Sequence, residues 1–285
     1  MLAHSPRLHE QRPARPRGAA AENFPVASRL LSPHVRGPIV RFYRFARAAD
    51  DLADDPGLDS AEKLRRLDMF EEGLFGGAGA PEALALRAEI GPDTAVLRHA
   101  AALLGAFRRD ATHRPYATWS ELCGYCALSA NPVGRFLLDV HREPDPEPAA
   151  ALSDRLCTAL QVLNHLQDIA EDKLHLDRVY LPRDWLDAEG VAPADLSRNA
   201  ATPGLRRVID RALGRCDDLL AQAAGLPDAL RDPGLRAQAR ATLWLAGALA
   251  GALRRGDPLA SRVAPSRPQV AAAVTGAALW RLSGR

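Results

Sequence analysis

The chain has 285 residues, 47% of them apolar and 25% charged, which suffices for one large domain or two small ones with a sizeable core. Its net charge of +2 comes from residues 1–21, where Arg7, Arg12, Arg15 and Arg17 face only Glu10; that excess of +3 leaves the remainder near −1. A nearly neutral body lacks the basic footprint of a nucleic-acid partner, and the longest nearly pure apolar run, about 243–253, falls short of the roughly 20 residues that span a membrane.

Aromatics are sparse at 5% while Ala, Leu and Arg abound, a composition that favours helix over sheet. Residues 1–21 carry Pro6, Pro13 and Pro16 among their arginines, have no apolar stretch of signal-peptide length, and read as a disordered tail. Residues 22–285 read as a single all-helical domain. Pro33 and Pro38 precede a predicted helix from about Ile39 to Asp54, stopped by Pro56-Gly57. Asp59 or Ser60 caps the next, which runs to about Leu74 and ends at Gly76-Gly77. A helix from about Asp93 to Arg109 follows Gly91-Pro92. Thr118-x-x-Glu121 is a capping box that opens a helix running toward His141. Pro144–Pro148 separates it from another, about Ala149–Lys173. Residues of about 176–202, with Pro182, Gly190 and Pro193, are irregular. Three more helices are expected over about Leu205–Ala224, Leu235–Arg255 and Pro268–Leu282. No strand-like alternation and no repeat of fixed period is present.

Cys123-x-x-Cys126 invites a metal or redox reading, but neither a second such pair nor a nearby His-x-His completes a zinc site, and the surroundings are helical. With Cys157 and Cys216 these read as reduced thiols of a cytoplasmic protein.

Two polar stripes carry the chemistry. On the first predicted helix, Tyr43, Arg47, Asp50 and Asp54 fall at i, i+4, i+7 and i+11, within a sector of about 60°. Asp51 and Asp55 flank them. On the helix over about Ala149–Lys173, Gln161, Asn164, Asp168 and Asp172 form a second stripe, surrounded by Leu156, Leu160, Leu163, Leu166 and Ile169. A helix apolar on most sides is buried, so its polar stripe must face a partner or a lined cavity. Carboxylates four residues apart repel each other, and an acidic helix C-terminus opposes the helix dipole. Packing alone does not favour two such clusters around one cavity. Oxygen-only donors point to magnesium, which binds through a few carboxylates plus substrate phosphate, and Arg47 suits a phosphate-bearing ligand. Taken singly, either stripe reads equally well as a solvated helix face.

These residues carry a resemblance. Tyr43-Arg-Phe-Ala-Arg47-Ala-Ala-Asp50-Asp51-Leu-Ala-Asp54 resembles the first aspartate-rich motif of the squalene/phytoene synthase family. Asn164-His-Leu-Gln-Asp168-Ile-Ala-Glu-Asp172, followed by Arg178-Val-Tyr180-Leu-Pro182, resembles the second. Tyr125-Cys-Ala-Leu-Ser-Ala-Asn131-Pro132-Val-Gly134-Arg135 resembles the central helix motif. Within the family, Glu22–Ser28 and Ser129–Gly134 are similar to the hydroxysqualene synthases of bacterial hopanoid synthesis.

The resemblance implies an all-α isoprenoid synthase fold with a central cavity. It implies magnesium held by Asp50, Asp54, Asp168 and Asp172 and bridged to diphosphate, with Gln161 and Asn164 assisting. Arg47 and Arg178 would bind diphosphate oxygens, and Tyr43, Tyr125 and Tyr180 would line the reacting end. The activity implied is ionisation of presqualene diphosphate and capture of the rearranged cation by water. Condensation of two prenyl diphosphates to presqualene diphosphate or phytoene is the alternative. A non-catalytic assembly relative is the reading of another class; it need not keep the four acids, which are all present. The partners implied are an isoprenoid diphosphate, no nucleic acid, the surface of the inner membrane, and other hopanoid-pathway enzymes.

Pro132 should kink its helix and free carbonyls toward the cavity. No Gly-x-Gly-x-x-Gly after a strand suggests a nicotinamide site. Two departures stand out. Leu128 occupies a position commonly aromatic and expected in the cavity wall, and Lys173-Leu-His175-Leu-Asp177 lacks the usual glycine before Arg178.

Overall fold

A computed structural model of the chain describes residues 31–91, 94–112, 114–144 and 146–282. The tail over residues 1–21 and the Glu22–Ser28 resemblance lie outside the described residues. Among those described, all regular structure is helical.

The first helix, α1, runs Pro33–Asp54 and so begins six residues earlier than predicted. Pro38 sits inside it. Its missing N–H removes only a bond to His34, in an exposed first turn where water can serve the carbonyl. Helix α2, Ser60–Phe75, starts as expected: the Asp59 side chain accepts from the Glu62 N–H at 2.9 Å. It ends at Gly76, whose φ of 117° requires a residue without Cβ. A helix the sequence reading lacked, α3, spans Pro81–Ile90, with Pro81 in its first turn, Glu82 beside it and Gly91 closing it at φ 79°.

Helix α4 covers Thr94–Ala111. The predicted helix from Thr118 toward His141 is two helices, α5 (Trp119–Ser129) and α6 (Asn131–Val140), broken at Ala130 with φ −127° and ψ −45°. Pro132 therefore starts a helix where a kink was expected, because its ring suits the first turn and not the middle. The capping box is half formed: Thr118 Oγ1 accepts from Glu121 N–H at 3.3 Å, but Glu121 Oε2 accepts from Ala117 N–H at 2.8 Å.

The helix carrying the second stripe also divides, into α7 (Pro146–Gln167) and α8 (Ile169–Leu176), at Asp168 with φ −102° and ψ 10°. Helix α8 closes on Asp177 at φ 50°, with Arg178 N–H reaching back to Asp172 O at 3.1 Å. Asp tolerates this left-handed position, so it does the work of the missing glycine. The irregular segment holds a short helix, α9 (Arg183–Ala188), and a 3₁₀ turn over Pro193–Ser197. Then come α10 (Pro203–Ala223), the four-residue α11 (Leu226–Ala229), α12 (Pro233–Arg255) and α13 (Arg267–Leu282).

Two apolar cores meet along α7. One gathers Phe42, Phe45, Leu67, Phe70, Leu86 and Leu104 from α1 to α4 with Phe136 of α6. The other gathers Leu163 and Leu166 of α7 with Leu205, Ile209 and Leu213 of α10 and Leu249 and Leu253 of α12. Helix α6 is pressed onto α7 at Gly134, where an added Cβ would lie 2.2 Å from Ser153 Oγ and 2.8 Å from Cys157 Sγ. Arg135 fixes the same pair by a two-pronged contact to Asp154 at 3.0 and 2.7 Å, and Thr158 donates to Asn131 at 3.0 Å. Asn131, Gly134 and Arg135 of the central motif thus join α6 to α7.

Candidate active site

A cavity of about 350 Å³ opens between α1, the α5–α6 corner, α7, α11 and α12. Its wall is mainly apolar: Ile39, Phe42, Val133, Phe136, Leu156, Leu160 and Leu230 contribute, with Phe42 stacked on Phe136 at 4.0 Å. Tyr43 from the first stripe and Gln161 and Asn164 from the second line the same cavity. One residue of the first stripe and two of the second, more than a hundred residues apart in sequence, thus meet at one space, whose lining does not include Arg47, Asp50, Asp54, Asp168 or Asp172. Leu128 is 38% exposed and does not line this cavity; it lies instead over Gly105 of α4. The expectation that it forms cavity wall is corrected, because it sits on the outer face of α5.

The acidic end of α1 is crowded and held by arginines. Arg47 donates to Asp50 at 2.8 Å and lies 3.0 Å from Asp51. Arg178, arriving from the segment after α8, donates to Asp54 at 2.6 Å and ties the two motifs together. Although 34% of the Asp50 side chain remains open, desolvation by the surrounding protein and the neighbouring Asp54 charge push its pKa up to about 7, against the pull of Arg47. Such an acid is short of positive charge.

Beside it lies a buried cluster the sequence reading missed. Asp110, in the last turn of α4, is 6% exposed and accepts from Tyr125 at 2.7 Å and from Tyr180 at 3.3 Å. Burial pushes its carboxyl up to about 6, opposed by Arg178 and by the Tyr125 hydroxyl. Tyr116 packs against both tyrosines, with Arg109 over its ring at 4.5 Å. His165 stacks flat on Tyr180 at 3.7 Å, and its burial drives its pKa down to about 4. Its two nitrogens lie 3.2 Å from Gln161 Nε2 and 3.8 Å from Asp172. Tyr125 and Tyr180 therefore belong to this cluster and do not line the apolar cavity, whereas Tyr43 does. The signal for Asp110 was available: an acid in the last turn of an apolar helix opposes the dipole, as the end of α1 does. His165 was marked by nothing but its place within a motif.

The donor set suits magnesium in kind. Among the described residues no three His, Cys, Asp or Glu side chains converge on one point. Magnesium does not need them to, since it takes one or two carboxylates and completes its shell with waters and phosphate oxygens. The under-neutralised Asp50 beside Asp54 offers such a pair. Arg47, Arg109 and Arg178 also each keep a buried Nε–H without a partner, donors that a phosphate oxygen could meet. Arg206, far from both motifs, does likewise, so this feature gains meaning only from position.

All four cysteines are free, and burial raises the thiols of Cys126, Cys157 and Cys216. No helix among the described residues is long and apolar enough to cross a membrane.

Residues 18–270 match the family described as squalene/phytoene synthase. A protein from Rhodopseudomonas palustris named hydroxysqualene synthase is 42% identical over 85% of this chain and 82% of its own length. Another of that name, from Zymomonas mobilis, is 38% identical over 93% of this chain and 90% of its own. The crystal structure of a squalene synthase from Alicyclobacillus acidocaldarius, 34% identical, superposes with a TM-score of 0.69 over 81% of this chain and 87% of that one.

Proposed function

Because the chain belongs to the squalene/phytoene synthase family of isoprenoid synthases, we propose that it ionises presqualene diphosphate with magnesium and lets water capture the rearranged cation, giving hydroxysqualene. The observation that supports this reading is the meeting of residues from both polar stripes at one apolar cavity, with Arg178 tying the second motif to the acidic end of the first. Tyr43, Gln161 and Asn164 stand at its wall, and Arg178 bridges to Asp54. The names of the two relatives that match over most of the chain point to the same reaction.

Magnesium, held by Asp50 and Asp54 and by Asp168 and Asp172, would neutralise the charge that grows on a departing diphosphate. Arg47 and Arg178 would exchange their present carboxylate partners for diphosphate oxygens, supplying fixed positive charge where it is needed in the transition state. The apolar wall, with the Phe42–Phe136 stack, would keep bulk water from a carbocation and offer ring faces to it. Peripheral contact with the inner membrane and with other hopanoid-pathway enzymes in the cytoplasm would suit a substrate this apolar.

Incubating the protein with presqualene diphosphate and magnesium, with and without NADPH, tests the proposal by product identification. An alcohol as main product, unchanged by NADPH, is expected. Diversion to squalene by NADPH would contradict the product assignment. Rapid turnover of farnesyl diphosphate with accumulation of presqualene diphosphate would make the chain a condensing enzyme.

A further inference from the structure

Gln161 lines the apolar cavity from α7, and its amide nitrogen lies 3.2 Å from His165 Nε2. An amide nitrogen only donates, so that ring nitrogen accepts. The imidazole proton then sits on Nδ1, the nitrogen 3.8 Å from the Asp172 carboxylate. Stacking on Tyr180, with centroids 3.7 Å apart and planes 11° from parallel, fixes the ring's plane. The imidazole holds the amide from one side while its other nitrogen faces the Asp172 carboxylate, and the carbonyl oxygen of Gln161, a residue of the cavity lining, has no hydrogen-bond partner among the described residues. In an otherwise apolar space an acceptor costs free energy unless a donor meets it.

We propose that the Gln161 carbonyl, oriented by His165, seats the water that captures the cation, which makes this pair the determinant of an alcohol product. The inference rests on the function proposed above. The seated water donates one O–H to Gln161 and turns an oxygen lone pair to the cationic carbon. Tyr43 and Asn164 line the same cavity and can supply the further polar contacts a buried water needs. The lone pair forms the new C–O bond, one O–H bond breaks, and its proton passes to an oxygen of the departed diphosphate. Nothing is oxidised or reduced. Without a seated water the cation is discharged by losing a proton from carbon, which gives a hydrocarbon. His165 is a positioning residue, since it acts through Gln161.

The ratio of alcohol to elimination hydrocarbon, from presqualene diphosphate and magnesium in ¹⁸O-labelled water, reads this directly and does not depend on overall rate. Gln161→Leu removes the acceptor at nearly constant volume. His165→Phe keeps an aromatic ring against Tyr180 but removes the nitrogen that holds the amide. Each is expected to lower the ratio about tenfold, the worth of roughly one hydrogen bond, and Gln161→Glu, which keeps an acceptor, to retain more labelled alcohol than Gln161→Leu. A purely structural role would slow turnover and leave the ratio unchanged; that result in both variants overturns the inference while the proposed function stands. A wild-type protein that makes no labelled alcohol overturns the functional reading and this inference with it.

Discussion

The end of α1 and the cluster around Asp110 lie side by side and both concentrate acid, yet they are built on opposite principles. At the end of α1, Asp50, Asp51 and Asp54 share Arg47 and Arg178, and Asp50 remains partly open with its pKa driven up to about 7. Around Asp110, one enclosed carboxyl has two tyrosine hydroxyls directed at it and an aromatic shell outside them. The first region holds three acids against two arginines and would gain by taking up a cation; the second carboxyl is already met by its two hydroxyls.

That contrast predicts opposite signs on mutation. Asp50→Ala or Asp168→Ala should lower diphosphate release by about a thousandfold or more, since each removes charge stabilisation from the transition state. Asp50→Ala should leave the metal-free protein as stable as before or more so, because repulsion is relieved. A clear loss of metal-free thermal stability with activity retained would reverse the assignment.

Asp110→Ala should act on the fold. At about pH 4 Asp110 is protonated in the folded state, and its removal strands the two buried hydroxyls at a cost of about 2–4 kcal/mol in urea unfolding. The folded pKa of about 6 lies above the ordinary 3.8. The wild-type advantage is therefore fully present only below about pH 4 and shrinks as pH rises through 6. An advantage that grows over that interval would contradict the burial argument.

Gly134→Ala sets the scale for a defect of packing alone. With Ser153 Oγ 2.2 Å and Cys157 Sγ 2.8 Å from the added carbon, α6 must move from α7 at about 1–3 kcal/mol. Because no acid is touched, its effect should be independent of both magnesium and pH, as unfolding with and without magnesium across that range would show.

The contrast also explains what the sequence could reveal. Helical spacing alone groups Asp50 with Asp54 and Asp168 with Asp172, and the burial of the helix that carries Gln161 and Asn164 was legible in its apolar neighbours Leu163 and Leu166. The positions of the two helix breaks, at Ala130 and Asp168, were not legible. A helix that re-forms after one irregular residue keeps nearly the same periodicity. Helix α3 was missed although Pro81 and Gly91 mark its ends. The Asp110 cluster draws Arg109 and Asp110 from α4, Tyr116 from the segment after it, Tyr125 from α5, His165 from α7 and Tyr180 from the segment after α8, and no local pattern joins such residues. Leu128 shows the limit of reading by resemblance: its position in a motif predicted a cavity wall, and the face of its helix put it outside.

The central claim is that the two stripes serve one magnesium–diphosphate site. Calorimetric titration of the whole protein with inorganic pyrophosphate, with and without magnesium, tests it most directly when wild type is set beside Asp50→Asn and Asp168→Asn. Binding that requires magnesium and is lost in either variant is the result predicted. Binding that persists without magnesium, or that survives in one variant while failing in the other, would contradict it.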